Sequence, residues 1–374
     1  MRKLIQNFPV KLRILGLLGV VCLLFTGILF IYENHMVKEL YDQQMAKRWS
    51  LNGDAAQISV FFEEEKIENE TYFKGIQQSV DNALKTASIE KKQEHARLWI
   101  DAVSRAGRVN IRGKRANIEL NAIGVSGDFF QFHPQKMVSG TVFLEDNLMK
   151  DGVVIDEDTA WQLFGSSQVV GMEVMLGDVP HYITGVMEKP KGRLEEAAGL
   201  QKPLCFLSLD SLNKYGTVNG GFTYEIVLPN PVKGFGAATM QSVLGTQQEG
   251  YVMVENNTRF EILSLLGIIQ KFGIRSMSFQ EIMYPYWENI ARAKEDILAL
   301  CLAIKMMFLV TPVLFIFLST VYFWKNKTWT VEKGFTWLKD KIYEVGSKRM
   351  NQKKEKQENE EISNHCLSDC ESGF

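Results

Sequence analysis

Residues Ile297–Trp324 constrain this chain more than any other stretch. They form a run of about 28 residues interrupted by one charge, Lys305, and a few small or weakly polar side chains. A hydrocarbon core about 30 Å thick is crossed by roughly 20 apolar residues in a helix. Backbone groups left unpaired in lipid are too costly, so a single span there must be helical. The run is entered through Arg292, Lys294, Glu295 and Asp296. It is left through Trp324-Lys325-Asn326-Lys327, an aromatic anchor followed by positive charge. Such a span places the segments before and after it on opposite sides of a membrane.

A second run, Ile14–Tyr32, holds about 19 residues without charge and follows Arg2, Lys3, Lys11 and Arg13, with no acid among residues 1–13. A secretory signal has a shorter apolar region and a small-residue cleavage site. This run instead leaves through Ile31-Tyr32-Glu33-Asn34-His35 and reads as an uncleaved span. The positive-inside rule puts the basic N-terminus in the cytoplasm, and a second span returns the chain to that side. There Lys325, Lys327, Lys333, Lys339 and Lys341 continue the positive bias. The expected organisation is a cytoplasmic segment 1–13, spans at 14–32 and 297–324, an extracytoplasmic domain at 33–296, a basic amphipathic cytoplasmic helix at 325–350 and a disordered charged tail at 351–374. Such a chain is a two-pass protein of the cell membrane with both termini inside.

Composition narrows the function. A net charge of −2 gives no overall basic footprint for nucleic acid. Cys22 and Cys301 lie in the apolar runs and Cys366 and Cys370 in the tail. That leaves Cys205 alone in the middle segment, which therefore has no internal disulfide and must be held by its core.

The middle segment has the pattern of a mixed α+β domain. Glu33–Trp49 is helical in composition, an outward continuation of the first span. Ala55–Phe62 is rich in β-branched and aromatic residues and predicts a strand; the acidic run Glu63-Glu64-Glu65 after it reads as a solvated turn. Tyr72–Thr86 and Lys91–Ala106 have helical spacing, with Phe73, Ile76, Val80 and Leu84 on one face of the first. Val109–Ile111 and Ile118–Val125 predict strands joined by a basic turn. Pro203–Leu209, Phe222–Leu228 and Tyr251–Val254 predict further strands. Tyr284-Pro285-Tyr286-Trp287 precedes the polar helix Ile290–Ile297, and its aromatic rings suit the outer membrane interface.

The most patterned region is Gly124–Pro190. It opens Gly124-Val125-Ser126-Gly127-Asp128-Phe129-Phe130 and passes through Ser139-Gly140-Thr141-Val142-Phe143 to a turn and strand at Asp151–Asp156. Glu157–Phe164 predicts a helix with acids in its first turn and Gly165 at its end. Val170–Leu176 and Tyr182–Met187 predict a strand pair around Gly177-Asp178. This order of elements resembles the MacB-like periplasmic core domain of ABC transporter permease subunits (the MacB/FtsX-like group). Gly140-Thr141-Val142-Phe143 stands where that family usually has Gly-Arg-x-Phe, so the customary Arg is absent.

The resemblance implies a non-enzymatic membrane subunit, permease-like or accessory, of an ABC-type transport or mechanotransmission complex. A separate ABC ATPase moves the spans of such complexes, and the extracytoplasmic domain relays the motion. Permeases of that kind carry four spans and this sequence shows two, which implies self-association or pairing with a longer permease subunit. A membrane-tethered sensor or binding protein without an ATPase is the alternative.

Catalytic motifs give no other lead. There is no G-x-x-x-x-G-K-[ST], H-E-x-x-H or G-x-S-x-G, and the histidines are scattered. No catalytic, cofactor-binding or metal-binding residue is assigned, and no cofactor is expected. In the second span, Lys305 lies near the outer end, where its stem can reach the interface, and Pro312 predicts a kink. Beyond it, Val331, Phe335, Leu338, Ile342 and Val345 form a stripe that predicts an amphipathic helix over Thr328–Val345 on the inner leaflet.

Overall fold

The computed structural model describes residues 9–326 apart from 65, 68–69, 92–95, 145–148, 201, 246–249 and 278–281, together with 336 and 339–344. The amphipathic helix expected at Thr328–Val345 and the charged tail therefore lie largely outside the described residues. The chain divides into two compact units, one of residues up to Leu24 together with those from Phe308 onward, the other Phe25–Met307. Two helices run through both: α1 (Val10–Lys38) and α9 (Tyr286–Lys325). Each is long and apolar enough to cross a membrane, and only 11% and 28% of their apolar stretches are buried. Most of that apolar surface is thus free to face lipid instead of a protein core.

In the first unit the two helices approach at small residues. A Cβ added at Gly16 would stand 2.8 Å from the Phe315 ring, and one at Gly19 would stand 3.4 Å from the Pro312 Cα. Small residues at a helix contact let backbones come close, which is how helices associate in lipid. Pro312 lies inside α9 at this contact.

The second unit is built on a mixed sheet in the order β10-β1-β9-β2-β3-β8-β5-β7-β4, with β6 bridging β2 and β7. Its strands are β1 (Ala55–Phe62), β2 (Ile100–Arg112), β3 (Asn117–Gly127), β4 (Met137–Gly140), β5 (Gly152–Asp156), β6 (Glu173–Leu176), β7 (Val179–Met187), β8 (Leu204–Ser208), β9 (Gly216–Pro229) and β10 (Tyr251–Glu255). Short helices fill the connections: α2 (Met45–Trp49), α3 (Thr71–Thr86), α4 (Phe129–Phe132), α5 (Glu157–Phe164), α6 (Leu209–Tyr215), α7 (Phe235–Leu244) and α8 (Ile262–Met277).

Helix α3 buries the stripe Phe73, Ile76, Val80 and Leu84, which sits at intervals of three and four as one helix face requires. The stripe packs on Ile58, Val60 and Phe62 of β1 and Tyr224, Ile226 and Leu228 of β9. Helix α5 starts at Asp156, whose side chain accepts from the Thr159 amide at 2.6 Å, and stops at Gly165 in the left-handed conformation. It closes a separate core of Val153, Ile155, Leu163, Val174, Leu176 and Ile183.

Two expectations need correction, and one helix was not expected. The helix expected over Lys91–Ala106 is strand β2 from Ile100 onward, paired with β3 and β9. Its apolar residues also fit a strand buried on both faces, and a short run cannot distinguish the two by period. The outward continuation of α1 stops at Lys38, and a 3-10 turn (Tyr41–Gln43) and α2 follow it. Helix α8 belongs to a stretch for which sequence patterning gives no element.

Candidate functional site: a buried ionic chain between helices and sheet

Strand alternation gives β1 and β9 two unlike faces. On the face away from α3, β1 carries Gln57 and Ser59, and β9 carries Glu225 directly opposite Ser59. All three are 2% exposed or less. A carboxylate at that depth needs partners. The Ser59 hydroxyl donates to Glu225 Oε1 at 2.8 Å, and the Nε2 of His133 contacts Glu225 Oε2. His133 caps the C-terminal end of α4, and its Nδ1 lies 3.0 Å from Oδ1 of Asp42 in the 3-10 turn after α1.

With a carboxylate on each ring nitrogen, His133 donates from both and is an imidazolium. Its surroundings act in opposite directions. Burial lowers its pKa, while Glu225 and Asp42 raise it, and the result is a rise from 6.5 to about 9. Both nitrogens are engaged and the ring is wholly buried, so it cannot serve a substrate as base or nucleophile.

From Ser59 the chain of contacts continues toward α9. Asn256 Nδ2 donates to Ser59 Oγ at 2.9 Å, and Asn256 Oδ1 accepts from Arg259 Nη1 at 3.2 Å. Arg259 grips Glu288 with two nitrogens, at 2.7 and 2.8 Å, and reaches Glu295 through Nε. Arg292 adds a 2.7 Å bond to Glu288 one turn away. Burial works against the Arg259 charge, but the two glutamates outweigh it and hold the guanidinium ionised. The planar fork of arginine suits this bidentate grip, which a lysine could not reproduce.

The outcome is one continuous hydrogen-bonded chain: Asp42, His133, Glu225, Ser59, Asn256, Arg259, then Glu288 and Glu295. It begins just past α1, crosses β9 and β1, and ends on α9. Gln57 reinforces the near end, with Oε1 accepting from the Met45 amide at 2.7 Å and Nε2 donating to the Asp42 carbonyl at 2.6 Å. Arg48 on α2 donates to the carbonyls of Gln131 and Phe132, fixing α4 beside the turn. Rungs between α1 and α9 extend the connection: Lys294 donates to Glu39 at 3.1 Å and Lys305 pairs with Glu33.

Trp287 sits at the centre. Its ring centroid lies 4.2 Å from that of His133 and 5.6 Å from that of Phe129, and it is 2% exposed. The aromatic cluster expected at the membrane interface thus puts Trp287 into the domain core, with Tyr284 and Tyr286 half-buried beside it. Phe129 and Phe132 offer a buried apolar socket, which outcompetes an interface for a large ring.

A cleft of about 600 Å³ opens on the opposite, α3-bearing face. Asp101 stands in it, held by Gln77 at 2.8 Å and the Tyr224 hydroxyl at 3.0 Å, with Lys74 and Arg97 among the lining residues. Burial pushes the Asp101 carboxyl up from its ordinary pKa, and the hydrogen bonds from Gln77 and Tyr224 oppose that rise. Sequence reasoning assigned no site residues, and it passed over both this cleft and the ionic chain. Signals for the chain existed: Glu225 interrupts the apolar run of β9, and Glu288, Arg292 and Glu295 share one face of a helix at four- and three-residue steps.

Comparison with known proteins fits this architecture. The family model described as "MacB-like periplasmic core domain" matches residues 17–255. The chain belongs to that family. Among curated relatives, the macrolide export ATP-binding/permease protein MacB of Chromobacterium violaceum is 30% identical over 93 residues, which are 24% of this chain and 14% of that protein. The MacB of Escherichia coli K12 is 26% identical over 151 residues, covering 39% and 22%. The matched part therefore spans less than a quarter of the length of these relatives. Solved structures that it resembles include the periplasmic region of MacB from Actinobacillus actinomycetemcomitans, at 15% identity and a TM-score of 0.36, covering 60% of this chain and 94% of that one. Another is the extracellular domain of the noncanonic ABC-type transporter YknZ from Gram-positive bacteria, at 13% identity and a TM-score of 0.33, covering 53% and 99%.

Proposed function

We propose that this chain is a non-enzymatic membrane subunit of an ABC-type transport or mechanotransmission complex. A separate ATPase and a longer permease, or a second copy of this chain, supply the rest of the complex. The spans are residues 14–32 and 297–324, both termini are cytoplasmic, and residues 33–296 lie outside. The observation that carries this is the buried ionic chain from Asp42 to Glu295, because it ties the outer ends of both apolar helices to strands β1 and β9, next to one edge of the sheet. Its polar groups are spent on one another, which suits transmission of movement better than chemistry. The family match, and relatives named as ATP-binding/permease proteins, support the ATPase partner.

The joint also holds unsatisfied groups. Among the described residues, Trp287 Nε1 and Gln43 Oε1 are buried without a hydrogen-bond partner, and Gln43 itself contacts the Trp287 carbonyl. An orphaned buried polar atom costs about 1–3 kcal/mol, a cost natural for a joint with a second arrangement in which those atoms are paired. The test is purification of the tagged full-length protein in mild detergent. Recovery of a P-loop ATPase in fixed ratio, lost on deletion of Thr328–Val345, supports the proposal; its absence under conditions that preserve such complexes sinks it.

A tethered binding protein is the second reading, and the cleft around Asp101 is the observation in its favour. It predicts no ATPase and a ligand whose affinity falls on Asp101→Asn substitution.

A further inference from the structure

The cleft around Asp101 carries charges that its own residues leave unmatched. Helix α3 lines it with Glu70 at the N-cap and with Phe73, Lys74 and Gln77, which stand at steps of three and four and share one face. Two of the three carboxylates in the lining are occupied. Arg97 holds Asp128 with both terminal nitrogens, Nη1 at 3.1 Å, and Glu70 accepts from Asn213 at 3.0 Å. Asp101 differs. It is 6% exposed, and both of its donors, Gln77 and the Tyr224 hydroxyl, go to the same oxygen, Oδ2. Among the described residues none donates to Oδ1, which is not sealed from solvent and opens into the cleft. A carboxylate so deeply placed gains from a cation that reaches it. Burial already pushes the Asp101 carboxyl upward, and an ammonium on Oδ1 would offset that rise.

The cations of the lining complete the pattern. Arg97 is spent on Asp128, whereas Lys74 stands exposed with no carboxylate partner among the described residues. Lys74 is three residues from Gln77, roughly 4.5 Å along the helix, and Gln77 itself touches Asp101. One short molecule can therefore reach both unmatched charges. Much of the remaining lining is apolar. Phe73 and Val103 are buried, Phe130 and Phe143 are half-buried with ring centroids 5.2 Å apart edge to face, and Leu144 is 64% exposed. A volume of about 600 Å³ lies in the range of pockets that enclose small ligands.

We propose that the cleft binds a short apolar peptide with both termini free, its ammonium on Asp101 Oδ1, its carboxylate toward Lys74 and its side chains against Phe130, Phe143 and Leu144. The inference names a ligand class for the cleft on which the binding-protein reading rests, and it holds equally if an ATPase accompanies the chain. A buried carboxylate facing a blocked amino terminus stays unmatched, so the site selects for the free terminus.

The test uses full-length protein in nanodiscs and pools of tripeptides built from Gly, Ala, Leu and Phe, in three forms: both termini free, N-acetylated and C-amidated. Affinity selection with mass spectrometry finds the retained members, and calorimetry measures the tightest of them. The expected result is retention from the free pool, with affinity roughly tenfold lower or more after N-acetylation and a smaller loss after C-amidation. Asp101→Asn keeps an acceptor for Gln77 and Tyr224 but loses the charge. It should weaken the free peptide about as much as acetylation does, and acetylation should cost nothing further in that variant. Lys74→Met, on exposed surface, should cancel the effect of amidation in the same way. Peptides that bind equally well when acetylated, or that neither substitution disturbs, overturn the proposal. If acetylated peptides bind and Asp101→Asn releases them, the cleft serves another class of ligand: the inference fails and the binding-protein reading stands. Retention of nothing from the free pool by folded protein also overturns it.

Discussion

Strands β1 and β9 present two faces to the same molecule, and the two are held by different physics. Toward α3 they offer Ile58, Val60, Tyr224, Ile226 and Leu228, an apolar surface matched by an apolar helix stripe. Toward the membrane-flanking helices they offer Gln57, Ser59 and Glu225, satisfied through His133, Asn256 and Arg259. Apolar packing is non-directional and tolerates changes that conserve volume. A buried ionic chain is directional, and each member is costly once its partner is gone. One face therefore holds the domain together, while the other fixes how the two long helices meet it.

The contrast is broken most severely at Arg259. Arg259→Met leaves Glu288 and Glu295 buried beside each other, and the expected loss is about 3–5 kcal/mol, read as a large fall in Tm of the full-length protein. Replacing all three residues with apolar side chains of similar volume is expected to return most of that stability, because such swaps of buried ion groups are often neutral or better. The triple variant should nonetheless lose any activity linked to a partner ATPase, since the alignment of α9 is then no longer specified.

The next effect depends on pH. The pKa of His133 rises from 6.5 in the unfolded chain to about 9 in the fold, so the folded state binds its proton more tightly. The corresponding stabilisation, roughly 3 kcal/mol, is fully present below 6.5 and disappears as pH climbs through about 9. Chemical denaturation from pH 6 to 10 should show that decline in the wild-type protein and a flatter profile in His133→Gln.

On the apolar face, Ile76→Val is expected to cost only about 0.5–1.5 kcal/mol, without a pH signature. A larger cost there, or one that varies with pH, would erase the distinction between the faces. The smallest change is Lys294→Met. Its partner Glu39 is half exposed, and such pairs are worth about 1 kcal/mol or less, falling further in high salt.

Much of this is legible in the sequence. The spacing of Phe73, Ile76, Val80 and Leu84 gave α3 its buried face, and Asp156 with Gly165 marked both ends of α5. Two apolar runs predicted the long helices, and the polar stretches Glu33–Trp49 and Ile290–Ile297 predicted their continuation, the first drawn too far because the helix stops at Lys38 and the second too short because it starts at Tyr286. The ionic chain was hidden for a different reason. Its eight members come from six separate places between Asp42 and Glu295, and only the sheet register sets Ser59 opposite Glu225. A lone Glu in a strand or a lone His before a Pro carries no sign of its partner. Trp287 misled because its neighbours Tyr284 and Tyr286 look like a membrane belt, while the socket formed by Phe129 and Phe132 exists only in three dimensions.

The central claim is that the ionic chain makes the outer ends of α1 and α9 move with the sheet as one body. Amide hydrogen exchange on full-length protein in lipid, wild type against Arg259→Met, tests it directly. If the claim holds, the variant loses protection together in Tyr41–Trp49 and in the first turns of α9, far from each other in sequence, while α3 keeps its protection. Loss confined to the neighbourhood of residue 259, or spread evenly through the α3 face, would contradict it.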